Sequence, residues 1–120
     1  MSDPPSPPVG PYTPIVRAGE WLVVSGQLGL VDGALVTGGV TGELTQALEN
    51  MAALLATEGA SLDDVVKTSV FLRHMSDYDA MNEVYVAAFG DHRPARSAIG
   101  IAELPRGALV EVEAWARHEA

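Results

Sequence analysis

Arg96, in the run Pro94-Ala95-Arg96-Ser97, is the residue of this sequence whose type and setting most invite a chemical role. In an extended segment, alternation places Arg96, Ala98, Gly100 and Ala102 on one face. Each neighbour on that face is small, which leaves room beside the guanidinium. Its planar fork of donors matches a carboxylate through two parallel hydrogen bonds, a geometry lysine does not reproduce. The plain alternative is an arginine that is solvated or salt-bridged near a strand end. Glu111 and Glu113 are two residues apart, so on a strand they point the same way, and the expectation is that they aim at the face carrying Arg96. Paired carboxylates do acid/base work when their surroundings raise one pKa, and one that holds and deprotonates a water suits hydrolysis. The other reading pairs one or both glutamates with Arg96 or Arg117 across strands.

Ser25-Gly26-Gln27 closes an apolar run. Glycine there permits close backbone approach, leaving amides and carbonyls to a ligand or marking a bulge with none. Tyr12, in Gly10-Pro11-Tyr12, is placed either to drop a phenol over a site or to pack as an ordinary tyrosine. His74, His92 and His118 show no ligand-like spacing, and no metal site is expected. No G-x-S-x-G turn and no Gly-rich phosphate loop followed by Lys and Ser/Thr is present.

These residues belong to a chain of 120 residues, one domain by length, with 48% hydrophobic and 19% charged residues. So small a domain buries about two-thirds of its unfolded surface, and self-association is expected to add to that. The net charge of −9 argues against nucleic-acid partners and anionic membranes, both of which need a basic footprint. The absence of cysteine removes disulfides, thiolate nucleophiles and Cys-based zinc sites, and is consistent with a reducing compartment. No apolar run approaches the roughly 20 residues of a membrane-spanning helix. The Pro-rich start, residues 1–9, reads as an extended tail and not as a signal peptide.

The elements that must position the candidate residues follow from periodicity. Ile15–Ala18 and residues 20–25 read as strands around a turn at Gly19. Residues 31–36 read as an Asp32-Gly33 turn and a short strand. Leu44, Leu48, Met51 and Leu55 predict a helix over residues 41–58, capped by Thr41 and closed by Gly59. Val65–Leu72 is a β-branched strand. Ser76 is expected to cap a second helix with Asp77 and Asp79 in its first turn, an apolar face of Met81, Val84, Tyr85 and Ala88, and its end at Gly90. Residues 95–102 and 108–117 read as strands joined by a turn at 104–107. The order β-β-β-α-β-α-β-β predicts an α+β fold, one sheet with both helices on one face. Val110, Val112, Ala114 and Ala116 should face the helices. Leu109, Glu111, Glu113 and Trp115 should face a subunit interface containing a polar site.

Taken together, Gly10-Pro11-Tyr12, Val24-Ser25-Gly26-Gln27, Leu48-Glu49-Asn50, the run 65–72, Asn82-Glu83-Val84-Tyr85, Pro94-Ala95-Arg96-Ser97 and the run 104–114 resemble the RidA (YjgF-like) family, also called L-PSP endoribonucleases. They span nearly the whole chain beyond the tail, in family order. The resemblance implies a chorismate-mutase-like fold with a mixed sheet and a barrel-like homotrimer with sites in the clefts between subunits. It implies cofactor-free, cytoplasmic hydrolysis of 2-enamine and 2-imino acids, of the 2-aminoacrylate/2-iminopropionate type, to 2-keto acids and ammonia. In that scheme Arg96 binds the substrate carboxylate, Gly26 offers a backbone contact, Glu111 places the attacking water, and Tyr12 and Ser25 line the pocket. Ala98 departs from the family's archetypal cysteine and bears on substrate range. Other functions carried forward are non-catalytic binding of small carboxylates, a tailoring hydrolase of secondary metabolism, and the ribonuclease activity of the older name, which the acidic charge disfavours.

Overall fold

A computed structural model describes Pro5 and residues 7–120. The expected tail lies partly outside these, at residues 1–4 and 6, while Pro5 and residues 7–9 belong to no helix or strand. The elements are β1 (Ile15–Ala18), β2 (Trp21–Gln27), β3 (Leu30–Val31), β4 (Ala34–Leu35), α1 (Gly39–Ala56), β5 (Val65–Leu72), α2 (Tyr78–Phe89), β6 (Ala95–Gly100) and β7 (Val110–Arg117). Five strands form one mixed sheet in the order β1-β2-β7-β5-β6, antiparallel except for the β5–β6 pair. Both helices lie on one face, as the α+β reading expects.

That face is chosen by alternation on the central strand. Val110, Val112, Ala114 and Ala116 of β7 are buried under the helices, whereas Glu111, Glu113, Trp115 and Arg117 point the other way. From α1, Leu44, Leu48, Met51 and Leu55 complete the core, each apolar side chain contributing about 1.5–3 kcal/mol by leaving water. Among the described residues the opposite face carries no helix. Trp21, Trp115 and Ile99 are exposed on it beside the two glutamates.

Several expected boundaries shift for local reasons. Residues 31–36 do not give one strand. Leu30–Val31 and Ala34–Leu35 pair as a separate hairpin, with Asp32 and Gly33 at φ 52° and 81° in its turn. Thr41 is not the cap of α1. Gly38 occupies that position at φ 104°, with no side-chain cap, and Thr41 lies in the first turn with its carbonyl accepting from Thr45 Oγ1. The paired glycines Gly38 and Gly39 let the chain enter the helix earlier than a threonine cap would. Gly59 does close α1, at φ 76°, with its own N–H bonded to Ala56 and that of Ala60 to Leu55. Ser76 is not a cap either. It sits inside a 3₁₀ turn, Met75–Asp77, that leads into α2. Ala88 is exposed, and Phe89, four residues after Tyr85, takes the buried place. β6 ends at Gly100, short of residue 102. β7 starts at Val110, after residue 108, because the Leu109 N–H is bonded to the Glu43 carboxylate of α1 and not to a strand.

Candidate functional site

Glu111 rises from the helix-free face of β7. Beside it, β2 departs from regular pairing between Val24 and Gln27, which places Gly26 in a bulge. A Cβ on Gly26 would stand 2.6 Å from the carboxylate carbon of Glu111 and 2.8 Å from Oε1. Only glycine lets the β2 backbone approach the carboxylate so closely. Glu111 is part-buried, and its carboxyl is pushed above the usual carboxylate range, first by burial and then by the charge of Glu113. The expected pairing of these glutamates with Arg96 or Arg117 does not occur. Arg117 pairs with Glu20 at 2.8 Å, and among the described residues neither Glu111 nor Glu113 has a basic partner. A desolvated carboxylate free of a cation is poised for proton transfer.

Tyr12 shares this neighbourhood. Its N–H bonds to the Gly10 carbonyl at 2.9 Å, and the ring, 43% exposed, lies against Gly10. A cleft of about 930 Å³ is lined by Tyr12, Gly26, Gln27, Asn50 and Glu111, among others. Asn50 of α1 donates to the carbonyls of Leu28 and Leu30, holding the cleft wall that follows β2. Ser25 lies next to the bulge on the same strand face as Val23. Its hydroxyl oxygen is buried and, among the described residues, has no hydrogen-bond partner.

Arg96 stands elsewhere. On β6 it pairs with Thr68 of β5, which in turn pairs with Ala114 of β7; Thr68 and Ala114 are buried beneath the helices. Glu111 pairs with Phe71, on the other face. Arg96 and the two glutamates therefore occupy opposite faces of the sheet, contrary to expectation. Alternation fixes which residues of a strand share a face but not which face neighbouring strands present. The room beside Arg96 is also not left by its small neighbours, since Ala98 packs against the core and Gly100 abuts the Met75 side chain.

What surrounds the guanidinium is α2. Its carbon lies 4.8 Å from the Tyr85 ring centroid and 5.6 Å from that of Tyr78. Nη2 donates to Tyr78 Oη at 3.1 Å, and Nη1 approaches Met81 Sδ at 3.5 Å. Tyr85 is anchored by a 2.7 Å hydrogen bond with the buried Thr68. Burial raises the Tyr85 pKa, against the lowering effects of Thr68 and Arg96. Among the described residues no carboxylate pairs with Arg96, so an aromatic cradle holds a cation with donors to spare. The cradle was only partly legible: Met81 and Tyr85 were read as the apolar face of α2, Tyr78, three residues before Met81 on the same helix face, was not singled out, and their joint target is on a distant strand. Glu43, 6% exposed, was likewise missed. The available signal was a carboxylate inside the stripe that also holds Val40, Leu44 and Ala47.

The chain is thus an α+β domain, a mixed sheet backed by two helices, with a desolvated carboxylate on a bulge-lined cleft and, at the sheet edge, an arginine that has no carboxylate partner among the described residues. The chain belongs to the L-PSP/RidA family: the family described as Endoribonuclease L-PSP matches residues 3–118. A Mus musculus protein named 2-iminobutanoate/2-iminopropanoate deaminase is 44% identical over 110 residues, covering 90% of this chain and 82% of its own. The structure of RidA from an Antarctic Psychrobacter matches with a TM-score of 0.90 at 38% identity, covering 95% of this chain and 93% of that one. E. coli TdcF, crystallised with bound serine, matches with a TM-score of 0.88 at 31% identity, covering 97% and 93%. Among the described residues no helix is long and apolar enough to cross a membrane.

Proposed function

We propose that this chain hydrolyses small 2-imino acids, of the 2-iminopropionate type, to 2-keto acids and ammonia. The observation that carries the reading is Arg96, held between aromatic rings with no carboxylate of its own. It anchors the substrate carboxylate. Gly26 offers backbone groups to the nitrogen end, and Tyr12 and Ser25 line the pocket. Glu111 orients a water. The water oxygen bonds to C2 as the C=N double bond becomes single, and Glu111 takes the water proton and passes it to nitrogen. Glu111 then carries the hydroxyl proton of the resulting carbinolamine to its amino nitrogen, and as the C–O bond becomes the C=O double bond the C–N bond breaks, releasing ammonia and leaving the ketone. Imines already hydrolyse in water, so orientation and acid/base help supply the modest acceleration needed.

Because Arg96 and Glu111 lie on opposite faces of one sheet, the site is completed by two copies, the edge strand of one bringing Arg96 to the helix-free face of the next. A homotrimer with three such clefts, working in the cytoplasm on small acids and not on nucleic acid, is part of this proposal. The names of the deaminase relatives support the reaction class. The serine held by TdcF supports a small amino-acid-like ligand, and with it a second reading of ligand binding without turnover. The deciding experiment generates 2-iminopropionate in situ with an amino-acid oxidase and follows keto-acid or ammonia release. Acceleration over buffer is expected; a rate equal to buffer, with heat of binding from 2-ketobutyrate, would favour the second reading.

A further inference from the structure

The contact between Arg96 and Tyr78 carries an inference about which acids the site selects, and it rests on the reading of Arg96 as the carboxylate anchor. Tyr78, 38% exposed, accepts one N–H of Arg96 Nη2 on its phenol oxygen. Among the described residues Tyr78 Oη makes no other hydrogen bond. Its own proton is therefore free to donate, and an oxygen that accepts from a cation donates more strongly. The two N–H bonds of one guanidinium nitrogen diverge, so acceptors on each stand about 5 Å apart at ordinary hydrogen-bond lengths. A carboxylate oxygen on the free N–H of Nη2 is thus too far from Tyr78 Oη to bond it directly. An oxygen carried on C3 of the same acid spans that gap.

We propose that Tyr78 is a specificity-determining residue whose O–H donates to an acceptor on the substrate side chain. The preferred substrates are then 2-imino acids with a hydroxyl or similar acceptor on C3, over those ending in a plain methyl group. A site that supplies a hydrogen bond discriminates against the analogue lacking the partner, because its polar group is then left without one. Tyr85 plays no such part, since its hydroxyl is spent on buried Thr68.

The test compares two imines that differ by one oxygen, made in situ by D-amino-acid oxidase from D-serine and D-alanine and followed by trapping with semicarbazide. The readout is the ratio of kcat/KM for the serine-derived over the alanine-derived imine, which does not depend on the fraction of enzyme folded. Tyr78→Phe should lower this ratio about tenfold. An unchanged ratio, even with both activities reduced, would overturn the proposal and leave Tyr78 as a support for Arg96. Calorimetric binding of hydroxypyruvate and pyruvate decides the matter without turnover. Wild type should prefer hydroxypyruvate and Tyr78→Phe should lose that preference; equal preference in both would overturn it. Absence of imine turnover in the wild type would sink the deaminase reading alone.

Discussion

Gly26 and Glu111 are locked together: the β2 backbone passes so close to the Glu111 carboxylate that a single methyl group on Gly26 would stand 2.6 Å from the carboxylate carbon. The bulge therefore sets where the carboxylate sits. Gly26→Ala should displace Glu111, because a Cβ at that distance is not tolerated without movement. The expected outcome is a fall in kcat of about tenfold or more with KM much less affected, since misplacing a reacting group costs rate. Steady-state kinetics on 2-iminopropionate would show this; an equal rise in KM with kcat intact would place the effect on carboxylate binding instead.

Burial and the neighbouring Glu113 hold Glu111 above the usual carboxylate range. In its proposed role as a base Glu111 must be ionised, so activity should fall as pH drops through that raised value. Glu113→Gln removes the second cause and should move the acid limb of kcat to lower pH. Stability runs the opposite way. A carboxyl raised in the folded state contributes its full stability below the unfolded carboxylate value and loses it as pH rises through the folded one. Glu111→Gln should thus melt higher than wild type at neutral pH, with the gap closing in acid. Melting curves across pH check the sign.

In the proposed site Arg96 works through its fork as well as its charge. Arg96→Lys should raise KM for 2-iminopropionate about tenfold or more, because an ammonium does not make the paired contact. Arg96→Ala should remove nearly all acceleration. It should also lower thermal stability slightly, since the stack on Tyr85 is worth about 0.5–2 kcal/mol.

Glu43 ties α1 to the segment that carries Glu111, its Oε1 accepting the Leu109 N–H at 2.8 Å. Glu43→Ala orphans that N–H at a cost of about 1–3 kcal/mol, whereas Glu43→Gln keeps an acceptor and should cost less. Urea denaturation midpoints at constant m would separate the two.

The fold was legible where one period dominates. Val65–Leu72 and the buried row Val110-Val112-Ala114-Ala116 were read directly, because alternation is a property of a single strand. Helix starts were not, since Gly38 and the turn at Met75–Asp77 replace the side-chain caps that Thr41 and Ser76 suggest. The candidate site was legible as residues and not as geometry. Arg96, Glu111, Gly26, Ser25 and Tyr12 could all be named. That Arg96 faces α2 while Glu111 faces away depends on the pairing of β6 with β5 and of β5 with β7, which no local pattern encodes. The partners of Arg96, Tyr78 and Tyr85, were hidden for the same reason.

The opposed faces of Arg96 and Glu111 make the central claim directly measurable by mixing subunits. Arg96→Ala and Glu111→Gln chains are each expected to be inactive on 2-iminopropionate. Unfolded together and refolded, a random mixture of trimers should regain about a quarter of wild-type activity, because each mixed trimer rebuilds one intact site from the unmutated faces of two chains. Native mass spectrometry would establish that mixed assemblies form. Recovered activity is the predicted result; mixed assemblies as inactive as their parents would contradict a site shared between copies.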